Sequence, residues 1–485
     1  MTLTVEQALQ QGIAAHKAGK LQEAEQLYRA ILQIQPDHPD TNHNLGLIAI
    51  SANQIEAALS LLRTALEIQP RTEQFWLSYI DALIRLNQFA AADAVLQQAE
   101  SLDMAAEKLE SLRKRLKPRE NSSPHSEAVD AEVYRSLGVT LKELDRLEEA
   151  EASYKKAIAL KPDYYEAHFN LGNTLKAQDK LDDAEQSYGQ AIALKPDFTP
   201  ALMNRWELLF NRGEYEAALN DSDHCNNPIA RLYSLECLYE LGRIEEIYQR
   251  IANNSVVDDT NIHVAAFAAF IAGAENKNTA HNFCNNPLDF ISVSNLSDHL
   301  DDVDSFTQET IAELRTVSAE WEPAKKSTYK GFQTPDNINL FATPSGNFLQ
   351  LKSIIDAELD SYVGKFQGET CSYIQKWPIG KNLFGWHVIL KQQGHQTPHI
   401  HASGWLSGVI YLQVVPSRDN NEGAIEFSLN STRCSRDDLP TVVHQPQPGD
   451  IVFFPSSLHH RTIPFSTDTD RIVIAFDLLP VPAST

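Results

Sequence analysis

Small and apolar positions recur along the first half of the chain with a period of about 34 residues. Gly12, Ala24 and Pro36 return one period later as Gly46, Ala58 and Pro70, with Leu45 and Ala65 beside them. Leu137, Gly138, Ala150, Tyr154, Ala157 and Pro162 return as Leu171, Gly172, Ala184, Tyr188, Ala191 and Pro196. Each period reads as two antiparallel helices. Glycine and alanine fall where the helices approach closely, and tyrosine and leucine fill the groove between neighbouring pairs. Proline cannot continue a helix, so it closes the second one. Every pair leaves an apolar face that only the next pair can cover, which predicts a stacked all-α solenoid. Worn copies begin near Glu73, with Trp76, and near Thr199, with Ala218, and another spans 230–252.

The rhythm breaks between Glu107 and Ala128, a stretch that starts helical and ends in the polar run Pro118-Arg119-Glu120-Asn121-Ser122-Ser123-Pro124. The expected organisation is a first helical block at 5–106, a linker at 107–128 and a second block at 129–284 with degenerate repeats. Beyond residue 285 the long period is gone. Helical patterns around 304–319 and 347–365 give way to short β-like runs at 385–390, 407–414, 424–428, 450–454 and 471–476, separated by turn residues. That spacing predicts an antiparallel jelly roll over 285–485.

The repeat positions resemble the tetratricopeptide (TPR) family. At these positions the residues are read as packing residues, and binding is expected on the concave face of the solenoid. The fold class expected for the whole chain is multidomain α + β: an all-α TPR solenoid followed by a double-stranded β-helix (jelly roll) with flanking helices.

Charge narrows the partners. With 65 acidic against 41 basic residues, the formal net charge of -24 suits neither nucleic acid nor an anionic membrane. No apolar run is long enough to span a bilayer, and the first residues carry no secretory pattern. Five cysteines form no CxxC pair, which argues against a disulfide framework or a zinc knuckle and for a reducing, cytoplasmic setting. No P-loop occurs, no Ser-His-Asp arrangement is recognisable, and Cys434 has no nucleophile context.

The histidines carry the chemistry. His395, His399 and His401 fall within seven residues, and His459 and His460 follow a later β-run. Positions i and i+2 of an extended segment face the same way, so His399 and His401 can point together into a barrel mouth, with a third histidine arriving from a distant strand. Imidazole suits iron, zinc, copper, nickel or manganese. By the same alternation His459 is the neighbour of a ligand, and His395 is a loop residue within reach of substrate.

The run Gly394-His395-Gln396-Thr397-Pro398-His399-Ile400-His401, the later Pro448-Gly449-Asp450 through His459-His460 to Pro464-Phe465, and Arg471-Ile472-Val473-Ile474-Ala475-Phe476 together resemble a bacterial family of iron(II)/2-oxoglutarate oxygenases distantly similar to prolyl hydroxylases. The segment from Lys330 to Phe341 adds to the likeness, which covers roughly residues 286–480. The resemblance implies iron(II), 2-oxoglutarate and O2 as cofactor and cosubstrates. It implies His399, His401 and His460 as metal ligands and Arg471, with Tyr411, as the cosubstrate site. A guanidinium fork suits a carboxylate. Tyr411, like Trp386 and Trp405, is most simply a core aromatic. The usual facial triad of such oxygenases has a carboxylate where this chain has His401, and related bacterial proteins also read His-x-His here. A three-histidine site, a two-histidine site, and a carboxylate supplied from elsewhere, such as Glu426, all stand open.

The implied activity is a dioxygenase that hydroxylates a peptide or protein held by the TPR region. Self-association through the repeats is the other use they suggest. Two further readings remain. A cupin-like metalloenzyme would not use 2-oxoglutarate, although the glutamate it needs after His401 is replaced by Trp405 and Leu406. A non-catalytic TPR scaffold would need no metal at all.

Overall fold

The computed structural model describes residues 4–86, 88–102, 104, 106–116, 125–225, 227–324, 326–416, 421–431 and 433–480. It is a multidomain α + β protein, helical at first and built on antiparallel sheets later. The chain divides into two compact units, residues 1–212 and 213–485. The last four helices of the helical region are thereby counted with the second unit.

In the first unit, helices run in antiparallel pairs: Val5–Lys17 with Leu21–Ile34, Pro39–Ser51 with Ile55–Ile68, Glu73–Arg85 with Phe89–Glu100, His125–Glu143 with Leu147–Leu160, and Tyr165–Ala177 with Leu181–Leu194. Helix Thr199–Asn211 follows. Four of the closing helices end two residues before Pro36, Pro70, Pro162 and Pro196, as the sequence pattern predicts. The run from Pro118 to Pro124, read as a linker, lies outside the described residues, while the helical start of that stretch is the helix Ala106–Arg115.

The repeated glycine has a measurable reason. A Cβ added at Gly138 would lie 2.6 Å from Cε1 of Tyr154, and one at Gly172 would lie 2.6 Å from Cε1 of Tyr188. Both rings are almost completely buried. Glycine on the first helix is therefore the socket for the aromatic of the second, and the pair of positions is one packing device.

The second unit opens with helices Tyr215–His224, Pro228–Glu240, Ile244–Asn253 and Ile262–Glu275. Its strands are β1 (Ser292–Asn295), β2 (Glu320–Trp321), β3 (Thr328–Gln333), β4 (Asn382–Gln396), β5 (Leu406–Gln413), β6 (Ile425–Ser428), β7 (Thr441–His444), β8 (Asp450–Pro455), β9 (His459–Thr462) and β10 (Arg471–Leu479). They form a seven-stranded sheet, ordered β1-β8-β5-β10-β4-β3-β2, and a three-stranded sheet, ordered β7-β6-β9, with every pairing antiparallel. Phe427 of β6 meets Phe454 of β8 with ring centroids 4.9 Å apart, so the small sheet packs on one face of the large one.

The other face of the large sheet is covered by helix Gly346–Phe366. Leu406, Ile410 and Leu412 of β5, Phe453 of β8, and Ile472, Ile474, Phe476 and Leu478 of β10 share one apolar cluster with Leu351, Ile355 and Leu359 of that helix. Side chains alternate along a strand, so Ser407, Val409 and Tyr411, and Arg471, Val473, Ala475 and Asp477, face the opposite way, into the space between the sheets. Burial on both faces explains why these strands read as nearly continuous apolar runs.

Gly172→Val should destabilise the first unit by roughly 1–3 kcal/mol through overpacking against Tyr188. The few tenths of a kcal/mol regained in helix propensity do not offset this. A denaturant midpoint equal to that of the parent protein would contradict the socket.

Candidate metal and anion site

Local backbone pairing brings the histidines together. Residues 397–401 run extended after β4, and His399 exchanges two main-chain hydrogen bonds with His460 of β9, each 3.1 Å long. The His401 amide donates to the Ser456 carbonyl, also at 3.1 Å. Three strand ends are thus stitched at one point.

The imidazoles then converge. One nitrogen from each of His399, His401 and His460 lies within 4.8 Å of the others. Ring centroids are 5.2 Å apart for His399 and His401, 4.3 Å for His399 and His460, and 5.0 Å for His401 and His460. Each Nδ1 is already engaged. His399 Nδ1 lies 2.7 Å from the Thr397 carbonyl and His460 Nδ1 lies 3.1 Å from the Leu458 carbonyl. His401 Nδ1 lies 2.6 Å from Asp477 Oδ1. Carbonyl and carboxylate oxygens only accept, so each Nδ1 must carry the proton and each Nε2 is left with its lone pair. Such a donor set fits a metal ion.

Burial keeps the His399 and His460 rings neutral. It pushes His399 down to about 3 with help from the neighbouring His401, and His460 well below the ordinary histidine range. His459 is pushed down to about 4, by burial and by His263. It stands one residue from His460 on β9, where alternation turns it to the other face. His395 sits at the end of β4 against the Tyr329 ring, with centroids 5.3 Å apart. Glu426 pairs in register with Arg461 while Phe427 pairs with His460, so Glu426 points to the outer face. Its oxygens lie 2.7 and 2.9 Å from the Arg461 guanidinium.

Asp477 was not among the residues singled out in the sequence. It shares a strand face with Arg471, six positions along β10, but only the strand pairing brings it to His401.

Arg471 is completely buried and lies over the Tyr411 ring, its Cζ 4.9 Å from the centroid. Its Nε donates to the Gly423 carbonyl at 3.0 Å. Arg471 Nη1 and the Tyr411 hydroxyl are buried and make no hydrogen bond of ordinary geometry among the described residues. Nearby Asp450 is spent on His444 Nε2 at 3.0 Å and Asn295 Nδ2 at 3.0 Å. Burial lowers the arginine from its usual value, but a guanidinium stays charged. A buried cation with an unused donor fits an anion such as a carboxylate. A cleft of about 510 Å³ opens beside the histidines, walled by Lys326, Gln333, Trp386, His399, His401 and Asp477. A neighbouring cleft of about 470 Å³, around Ile262, Ile379 and Trp405, is lined by no such cluster.

Residues 385–477 match the family described as "Putative 2OG-Fe(II) oxygenase". Residues 15–78 and 165–198 match profiles described as "Tetratricopeptide repeat", and residues 138–179 match "TPR repeat". The chain carries TPR repeats followed by a 2OG-Fe(II) oxygenase domain. The three clustered histidines, Tyr411 and Arg471 all lie within the part of the oxygenase domain that matches. No curated protein matches the chain. Among solved structures, a prolyl-4-hydroxylase of Pseudomonas putida is similar at 13% identity, covering 39% of this chain and 92% of its own, with a TM-score of 0.29. YrrB, described as a TPR protein with an unusual peptide-binding site, is similar at 18% identity over 42% of this chain and 92% of its own, with a TM-score of 0.20. Pseudomonas aeruginosa pilF is similar at 18% identity over 48% of this chain and 96% of its own, with a TM-score of 0.27. Among the described residues, no helix is long and apolar enough to cross a membrane.

Histidines held below their ordinary value of 6.5 set an acid limit on the metal-free oxygenase domain. The unfolded chain takes up their protons as pH falls below about 6.5, while the folded chain does not until the buried values are reached. Stability is therefore fully present above pH about 6.5 and is lost toward pH about 4, at up to ~1.4 kcal/mol per histidine per pH unit. Denaturant titrations at pH 7 and pH 5 should show this loss, and equal midpoints would refute it.

Proposed function

We propose that the protein is an iron(II)- and 2-oxoglutarate-dependent dioxygenase that hydroxylates a peptide or protein recruited by its TPR repeats. The observation that carries this reading is the histidine cluster, in which every Nδ1 is spent and every Nε2 keeps its lone pair, that of His399 with the Ser327 hydroxyl 3.4 Å away. His399, His401 and His460 would hold the iron. That donor set would leave the ion open to the cosubstrate and O2. With these bound, iron(II) supplies oxidative decarboxylation of 2-oxoglutarate to succinate and carbon dioxide, coupled to hydroxylation of a C–H bond.

The remaining work belongs to the chain. Arg471 would grip the far carboxylate of 2-oxoglutarate through its unused Nη1, and the Tyr411 hydroxyl would share that load. The apolar floor of Val409, Val452 and Val473 lies on the same strand faces, and it keeps water from the space between anion and metal positions. The cleft walled by Trp386 and Gln333 is the route for substrate. TPR repeats are protein-interaction elements, which supports a peptide or protein substrate.

Purified protein loaded with iron(II) should release succinate from 2-oxoglutarate in the presence of O2. Arg471→Ala should raise KM for 2-oxoglutarate roughly tenfold or more, the scale of one charge-assisted hydrogen bond. Metal binding without succinate release or 2-oxoglutarate binding would favour a metalloenzyme that uses no keto acid. Absence of metal binding would leave a scaffold. Mass spectrometry of proteins captured by the TPR region, searched for one added oxygen, tests the substrate class.

A further inference from the structure

We propose that Asp477 is the positioning residue of the candidate metal centre, holding His401 in one tautomer and returning to the site the negative charge that its ligand set lacks. The proposal rests on reading His399, His401 and His460 as ligands.

The three histidines are not held alike. His399 and His460 each turn Nδ1 toward the carbonyl two residues earlier, a local contact that any sequence could make. His401 instead turns Nδ1 toward a carboxylate 76 positions away. His401 also stands at the place of the carboxylate in the usual two-histidine, one-carboxylate facial triad. The charge missing from the ligands is thus found one imidazole ring behind them.

Asp477 is held as a support should be. Its backbone is flanked in register by Phe384 of β4 and Ser407 of β5. Ser407 Oγ lies 2.7 Å from Asp477 Oδ1, 2.9 Å from His401 Nδ1 and 2.8 Å from Ser456 Oγ. One proton assignment satisfies all of these contacts. Ser407 donates to Asp477, Ser456 donates to Ser407, and His401 N–H is shared between Asp477 and Ser407. The turn after His401 is closed onto the same group. A Cβ added at Gly404 would stand 2.5 Å from Ser456 Oγ and 3.1 Å from Asp477 Cγ. Carboxylates hydrogen-bonded behind a ligating histidine fix the ring's orientation and raise its basicity toward the metal.

The test compares full-length wild type, Asp477→Asn and Ser407→Ala, all metal-free, with Co2+ as the probe. Asp477→Asn keeps the shape and removes the charge. It should weaken Co2+ binding by ~10–100-fold and shift the visible absorption of bound Co2+, with an unchanged thermal midpoint before metal is added. Ser407→Ala should cost less, because the carboxylate remains. Wild-type affinity and spectrum in Asp477→Asn would overturn the proposal, as would an equal loss in Ser407→Ala. Long-range 1H–15N NMR of metal-free wild type needs no variant: His401 should carry its proton on Nδ1, and a proton on Nε2 would overturn the proposal. If wild type binds no Co2+, the reading of the three histidines as ligands fails, while the NMR result still decides whether Asp477 holds His401.

Discussion

The two-residue alternation of β5, β8 and β10 governs this molecule's second unit. One set of side chains, Leu406, Ile410, Phe453, Ile474 and Phe476 among them, is committed to the apolar cluster beneath helix Gly346–Phe366. Their burial fixes strand register, since a slip of one position would exchange the two faces. With register fixed, the opposite set has no freedom. Ser407 and Asp477 come beside His401, and Tyr411 and Arg471 come beside each other. The chemistry is therefore positioned by residues that take no part in it.

The site also illustrates how polar groups survive in such an interior. Serines, an aspartate and histidines between the sheets form closed hydrogen-bond sets, so their burial costs little. Arg471 is the departure: a buried guanidinium with an unused donor is expensive to leave alone. A carboxylate ligand would complete it, and the buried Asp450 of β8 is already engaged with His444 and Asn295. The proposed cosubstrate and the local cost of burial agree on the same missing partner.

The repeats obey a simpler logic. A glycine and a tyrosine sixteen positions apart, as Gly172 and Tyr188, form a socket and its plug within one helix pair. That arrangement is local, and for that reason the repeats could be read at sight. The five β-runs expected from alternation and turn residues all became strands. β1, β2, β3, β7 and β9 were missed because they are short and their burial does not alternate cleanly, and β1 and β3 depend on partners far along the chain.

What the sequence determined by itself was whatever rests on neighbours in the chain: the helix pairs, the strand runs, the shared side of His399 and His401, and the turning away of His459 beside His460. Tertiary structure alone decided the rest. Whether Glu426 could reach the histidines depended on its register with Arg461, which sends it outward. Asp477 could not be tied to His401 by spacing, because 76 residues and a sheet crossing separate them. A side chain's direction is local and legible, whereas the identity of what it meets is set by strand order and register, which the packed core decides.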